Sequence, residues 1–137
     1  KEKHMKISDI LREDKTTISF EVFPPKTTAN FESVKKAALG VAALHPDYMS
    51  VTYGAGGSSR GNTLHIAEEI QKAENVTTIA HLTCVGAGKE DIRTALSEMK
   101  EAGIENILAL RGDIPIPSTK KRILKTSKRR WTQAVSS

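Results

Sequence analysis

The sequence predicts an α/β fold of parallel β/α units, either a doubly wound sheet or the first half of a (β/α)8 TIM-type barrel. Three observations carry this prediction. Short apolar runs alternate with amphipathic helical patterns through the first 113 residues. The runs are nearly continuous in apolar residues, as in parallel strands covered on both faces. Each run closes on a polar or special residue, namely Glu21, Thr52, His81 and Arg111, at intervals of 31, 29 and 30 residues. One βαβ repeat takes about 30 residues, so these four hold equivalent places in successive units. Parallel strands with crossover helices form either a doubly wound sheet or a barrel. In a barrel, the C-terminal strand ends form the active face.

The elements follow in order. "HMKISDILRED" reads as a short covering helix, and "TISFEVF" (17–23), rich in β-branched and aromatic residues, as the first strand. In "NFESVKKAALGVAALHP" the stripe Phe31, Val34, Ala38, Val41 and Leu44 predicts a core-facing helix, with Asn30 as N-cap and Pro46 as stop. "YMSVTY" (48–53) is the second strand. "NTLHIAEEIQKA" is a helix facing the core with Leu64, Ala67 and Ile70, and "TTIAHLT" (77–83) is the third strand. "KEDIRTALSEMKEAGI" repeats the helical stripe with Ile92, Leu96 and Met99 and ends at Gly103, a C-terminal glycine. "NILAL" (106–110) is the fourth strand. Four strands are half of the eight that a barrel needs.

The net charge of +5 is unevenly placed. Residues 114–137 hold seven Lys or Arg and no acid, which leaves the first 113 with 14 basic and 16 acidic side chains, a net of −2. The expected division is therefore a folded unit over residues 1–115 and a basic tail over 116–137, disordered or non-native in origin, such as a shifted reading frame. No apolar run approaches the roughly 20 residues of a membrane span. The start lacks the apolar region of a secretory signal. The single cysteine, Cys84, fits a reducing compartment and a cytoplasmic protein. His4, His45 and His65 have no partners at ligand spacing, so no metal site is expected.

"SFEVFPPK", "SVTYGAGGSSR", "AHLTC" and "ILALRGDIP", in this order and spacing, resemble the methylenetetrahydrofolate reductases, flavin-dependent barrel enzymes of one-carbon metabolism. The resemblance covers roughly residues 7–115. It implies hydride transfer from NAD(P)H through FAD to 5,10-methylenetetrahydrofolate, giving 5-methyltetrahydrofolate. The folate ring must open before hydride arrives, and opening needs an acid at a ring nitrogen. Glu21 matches the family's proposed acid. A carboxyl beside Phe20, Phe23 and Pro24 is expected to be poorly solvated, which would favour its protonated form. Asp113 matches the aspartate between flavin and pterin, where it tunes the flavin and holds the folate. Thr52, Tyr53, Ala55, His81, Arg111, Gly112 and Asp113 match FAD-contacting positions. The implied partner is a small-molecule folate, with self-association through the open sheet edge and little reductase activity for this chain alone. The contrasting reading is a small α/β binding module whose basic tail contacts nucleic acid or acidic surfaces. Such binding would weaken steeply with salt.

Overall fold

The structure is a computed structural model that describes residues 5–25, 28–53 and 60–113; the basic tail and Ala55 lie outside them. A four-residue helix α1 (Ile7–Ile10) precedes β1 (Ser19–Val22). A 3-10 turn over Thr28–Asn30 leads into α2 (Phe31–Ala42). Then come β2 (Tyr48–Val51), α3 (Arg60–Glu74), β3 (Thr78–Thr83), α4 (Lys89–Glu101) and β4 (Asn106–Leu110). The strands form one parallel sheet in the order β1-β2-β3-β4. A doubly wound sheet reverses its strand order partway, at the point where its ligand binds. Strictly sequential order is that of a barrel wall, so the barrel alternative holds.

The pleat sorts the strand residues. Met49, Val51, Thr78, Ala80 and Leu82 alternate along β2 and β3 and are essentially inaccessible to solvent. They meet Ala38 and Ala42 of α2, Ile66, Ala67 and Ile70 of α3, and Ala95 and Met99 of α4 in one core. Burying a side chain the size of Ile70 contributes about 1.5–3 kcal/mol. On the opposite parity lie Glu21, Ser50, Ile79, His81, Thr83, Leu108 and Leu110. Apart from His81, this face is half-buried or exposed. The strands are therefore not covered on both faces as their apolarity predicts. Phe20, Ile107, Leu108 and Leu110 are each more than a third exposed, because β1 and β4 have one strand neighbour each among the described residues.

Several details depart from the sequence reading. Asn30 makes no side-chain capping bond, because the 3-10 turn already holds it at φ −106°, ψ 7°. Leu44 falls beyond the end of α2 and is 72 % exposed. The buried stripe of α4 runs through Ile92, Ala95 and Met99, and leaves Leu96 outside. Gly103 does adopt the left-handed conformation, φ +77°, just past the C-cap Ala102 of α4. The N-terminal helix is shorter than predicted and is tied to the sheet by Asn106. That side chain accepts from the Ile7 N–H at 3.0 Å and donates to the Met5 carbonyl at 3.1 Å.

Candidate functional site at the C-terminal strand ends

Glu21 stands near the end of β1, opposite Ser50 of β2 in the pairing register. The Ser50 hydroxyl donates to Glu21 Oε1 at 3.4 Å, and His81 Nε2 of β3 lies 3.6 Å from the same oxygen. Three adjacent strands thus place a carboxylate, a hydroxyl and an imidazole together on the face opposite the helices. His81 is buried, its side chain 10 % exposed, whereas that of Glu21 is 45 % exposed. The apolar shelter expected for Glu21 is not formed, since Phe20 and Phe23 are themselves 42 % and 68 % exposed. An aromatic neighbour in sequence shields a carboxyl only where the two side chains share a face, and Phe20 has the opposite parity.

The four strand-end residues share a rim but not one hydrogen-bonded row. The row through Glu21 continues to Ser50, Ile79 and Asn106. His81 sits two residues further along β3, while Thr52 and Arg111 lie two and five residues beyond Ser50 and Asn106, just past the ends of β2 and β4. This climb toward the C-terminal end is what strand tilt and stagger in a barrel require of residues at one height.

The supporting contacts come from the βα connections. The Thr52 N–H donates to the Val22 carbonyl at 2.9 Å, and the Thr52 carbonyl accepts from Thr63 Oγ1 of α3 at 2.9 Å. Asn62 Nδ2 donates to the Pro25 carbonyl at 3.1 Å, which fastens the segment after Glu21 to the start of α3. Tyr53 is half-buried and packs against the core. Beyond β4, the Cys84 and Val85 N–H groups donate to the Leu110 and Arg111 carbonyls at 2.9 and 2.7 Å, so the segment after the strand stays zipped to the end of β3. Arg111 Nε reaches the Gly112 carbonyl at 3.4 Å; Arg111 and Asp113 are both exposed.

Gly112 is needed for the fold itself. Its φ is +83°, and a Cβ there would stand 2.3 Å from Thr83 Cγ2 and 2.7 Å from Val85 Cγ1. The glycine lets the chain turn tightly over the end of β3, whatever else approaches it. Ser50 was not singled out by sequence reasoning. Its signal was available, because it lies two residues before Thr52 and so on the same strand face.

A different cavity, of about 270 Å³, lies at the opposite, N-terminal ends of the strands, lined by Ile10, Lys15, Asp47 and Thr77 among others. None of the strand-end candidates lines it. Its charges are internally paired: Asp47 accepts from the Ile18 N–H at 2.8 Å and from Lys15 at 2.9 Å, and Lys15 also pairs with Glu13. These bonds hold the Asp47 carboxyl below its ordinary proton affinity and raise that of the Lys15 ammonium. Among the described residues no three potential metal ligands cluster, and no helix is long and apolar enough to cross a membrane.

The chain is similar over most of its length to known proteins. A probable methylenetetrahydrofolate reductase (NADH) of Oryza sativa subsp. japonica is 41% identical over 110 residues, covering 80% of this chain and 18% of that protein. A 5,10-methylenetetrahydrofolate reductase of Buchnera aphidicola is 36% identical over 126 residues, 88% of this chain and 43% of its own length. The Escherichia coli protein of the same description is 36% identical over 103 residues, 75% and 35% of the two chains. The chain thus spans less than half the length of these relatives. The family model for methylenetetrahydrofolate reductase matches residues 6–136 and so continues past Pro115 into the basic segment. On that match and those identities, the chain belongs to the methylenetetrahydrofolate reductase family.

Proposed function

We propose that this chain supplies the first four strands of a reductase that converts 5,10-methylenetetrahydrofolate to 5-methyltetrahydrofolate with NAD(P)H, using FAD. The observation that carries the reading is the convergence of Glu21 with Ser50 and His81 at the strand ends, in a chain of this family. FAD would supply the hydride relay that no side chain can provide. The donor set suits such a group. Arg111 offers an exposed guanidinium for a phosphate or ring oxygen, and Thr52, Tyr53 and His81 offer hydroxyl and imidazole groups at one rim. Ala55, in a segment outside the described residues, is assigned to the same cofactor on family resemblance, as are Gly112 and Asp113. Asp113, exposed just beyond β4, would also hold the folate.

In this reading Glu21 is the proton donor to the folate ring nitrogen. Its carboxylic O–H bond breaks, an N–H bond forms, and the five-membered ring opens. The carboxylate left behind is met at Oε1 by the Ser50 hydroxyl and faces His81. Direct acid catalysis of this kind contributes roughly 10²–10⁴ in rate. In the same reading His81, 3.6 Å from Glu21, would serve both that carboxyl and the cofactor. The family assignment lends no support to a tail-driven binding module.

The isolated 137-residue chain is proposed to have little reductase activity, because Glu21 is about half exposed and the face that carries it is open. The test is the visible absorbance of the purified chain after FAD is added and the excess removed. Retained flavin that is lost in Arg111→Ala and His81→Ala supports the reading. A chain that retains flavin identically in both variants would refute the assignment of these residues.

A further inference from the structure

We infer that Ser50 is a positioning residue that fixes which oxygen of Glu21 carries the transferable proton. The inference rests on the reading of Glu21 as proton donor and adds an atom-level assignment to it. Two groups from two neighbouring strands approach the same oxygen: the Ser50 hydroxyl at 3.4 Å and His81 Nε2 at 3.6 Å from Oε1. The first distance is long for an O–H···O bond and the second is a near approach. Catalytic hydrogen bonds are commonly long before substrate binds and tighten in the reactive complex.

The direction of the bond sets the chemistry. An ionised Glu21 can only accept, so there the Ser50 hydroxyl donates to Oε1. In the inferred neutral acid the hydroxyl keeps that direction, which makes Oε1 the carbonyl oxygen and puts the proton on Oε2. Once that proton has left, the negative charge spreads to Oε1, where the hydroxyl already points. A hydrogen bond to an ionised acceptor is stronger than one to its neutral form. Ser50 therefore stabilises the product of proton transfer more than the starting acid, without touching the substrate. β-pairing makes the placement rigid: Ser50 is the direct register partner of Glu21, and its strand is the inner member of a hydrogen-bonded pair on each side. The 45 % exposure of the Glu21 side chain leaves room for a proton acceptor to approach.

The experiment uses the full 137-residue chain and two readouts that need no turnover. At neutral pH, three-bond couplings about the Glu21 Cα–Cβ bond measure how firmly the side chain is held. The expected result is one rotamer in the parent chain, averaging in Ser50→Ala and recovery in Ser50→Thr, which keeps the hydroxyl. The second readout is the infrared carbonyl stretch of protonated Glu21, identified by its absence in Glu21→Gln. It should move to higher frequency in Ser50→Ala and return in Ser50→Thr. Unchanged couplings in Ser50→Ala, or a carbonyl band that ignores both substitutions, would overturn the inference. The flavin and turnover experiments address the functional reading separately, so either can fail while the other stands.

Discussion

Replacing Gly112 with alanine tests how the rim beyond β4 is built, and its cost separates into two parts. Holding a residue with a Cβ at φ +83° costs about 1–3 kcal/mol. The Cβ must also push aside Thr83 Cγ2, 2.3 Å away, and Val85 Cγ1, 2.7 Å away. Overpacking of that kind costs a further 1–3 kcal/mol or so. The expected loss is therefore about 2–6 kcal/mol, a large share of an ordinary folding free energy of about 5–15 kcal/mol. Gly86 provides the internal control. Its φ is +76°, and nothing lies within 4 Å of its ideal Cβ, so Gly86→Ala should cost the backbone part alone. The assay is urea unfolding followed by circular dichroism, compared at constant m-value. In a Thr83→Ser, Val85→Ala background both obstructing methyls are gone, and the added cost of Gly112→Ala should fall to that of Gly86→Ala. Equal losses for Gly112→Ala and Gly86→Ala in the parent chain would refute the steric argument and reduce Gly112 to a turn residue.

Three further outcomes follow from other parts of the molecule. The Ile18 N–H and Lys15 hold Asp47 below its ordinary proton affinity, so its contribution is full above the unfolded carboxyl value of about 3.9 and is lost as pH falls through the lower folded value. Asp47→Asn should therefore flatten the acid limb of a stability-against-pH curve below about pH 4, and an unaltered limb would contradict the assignment. Asn106→Ala removes both ties to the N-terminal segment and should cost about 1–2 kcal/mol, with faster amide exchange at Ile7 as the local sign. Leu108→Lys, at a site 43 % exposed on β4, should change stability by less than about 0.5 kcal/mol yet reduce concentration-dependent association measured by sedimentation. Association that is indifferent to that charge would mean the β4 surface is not the sticky one.

The fold was legible because helical stripes of period 3.6 alternated with short, nearly continuous apolar runs, and clear punctuation separated them. Ile70 and Met99 lie where the helical stripes put them, and β4 has the bounds its apolar run predicts. The misses have a common cause. Leu44 and Leu96 continue a helical period in sequence, but the period says nothing about where the opposing sheet ends. Phe20 and Leu108 look like core for the same reason: apolarity records what a face is suited to meet, not whether a neighbour stands there. Strand order was the decisive datum that composition lacked. Only β1-β2-β3-β4, read from the pairing, separates a barrel wall from a doubly wound sheet.

The site was legible to the level of the rim and no finer. Equal intervals of about 30 residues brought Glu21, Thr52, His81 and Arg111 to one end of the sheet, yet they hid the register. With strands tilted, residues at one height are staggered along their strands, so the true cross-strand partner of Glu21 is Ser50 and not Thr52. That offset of two residues decides which side chain meets the carboxylate. Thr52 uses its backbone to fasten β2 to α3 and β1, while Ser50 turns a hydroxyl to the carboxylate. A repeat period therefore identifies which end of a parallel sheet gathers the polar side chains, and only the hydrogen-bond register identifies which of them can reach each other there.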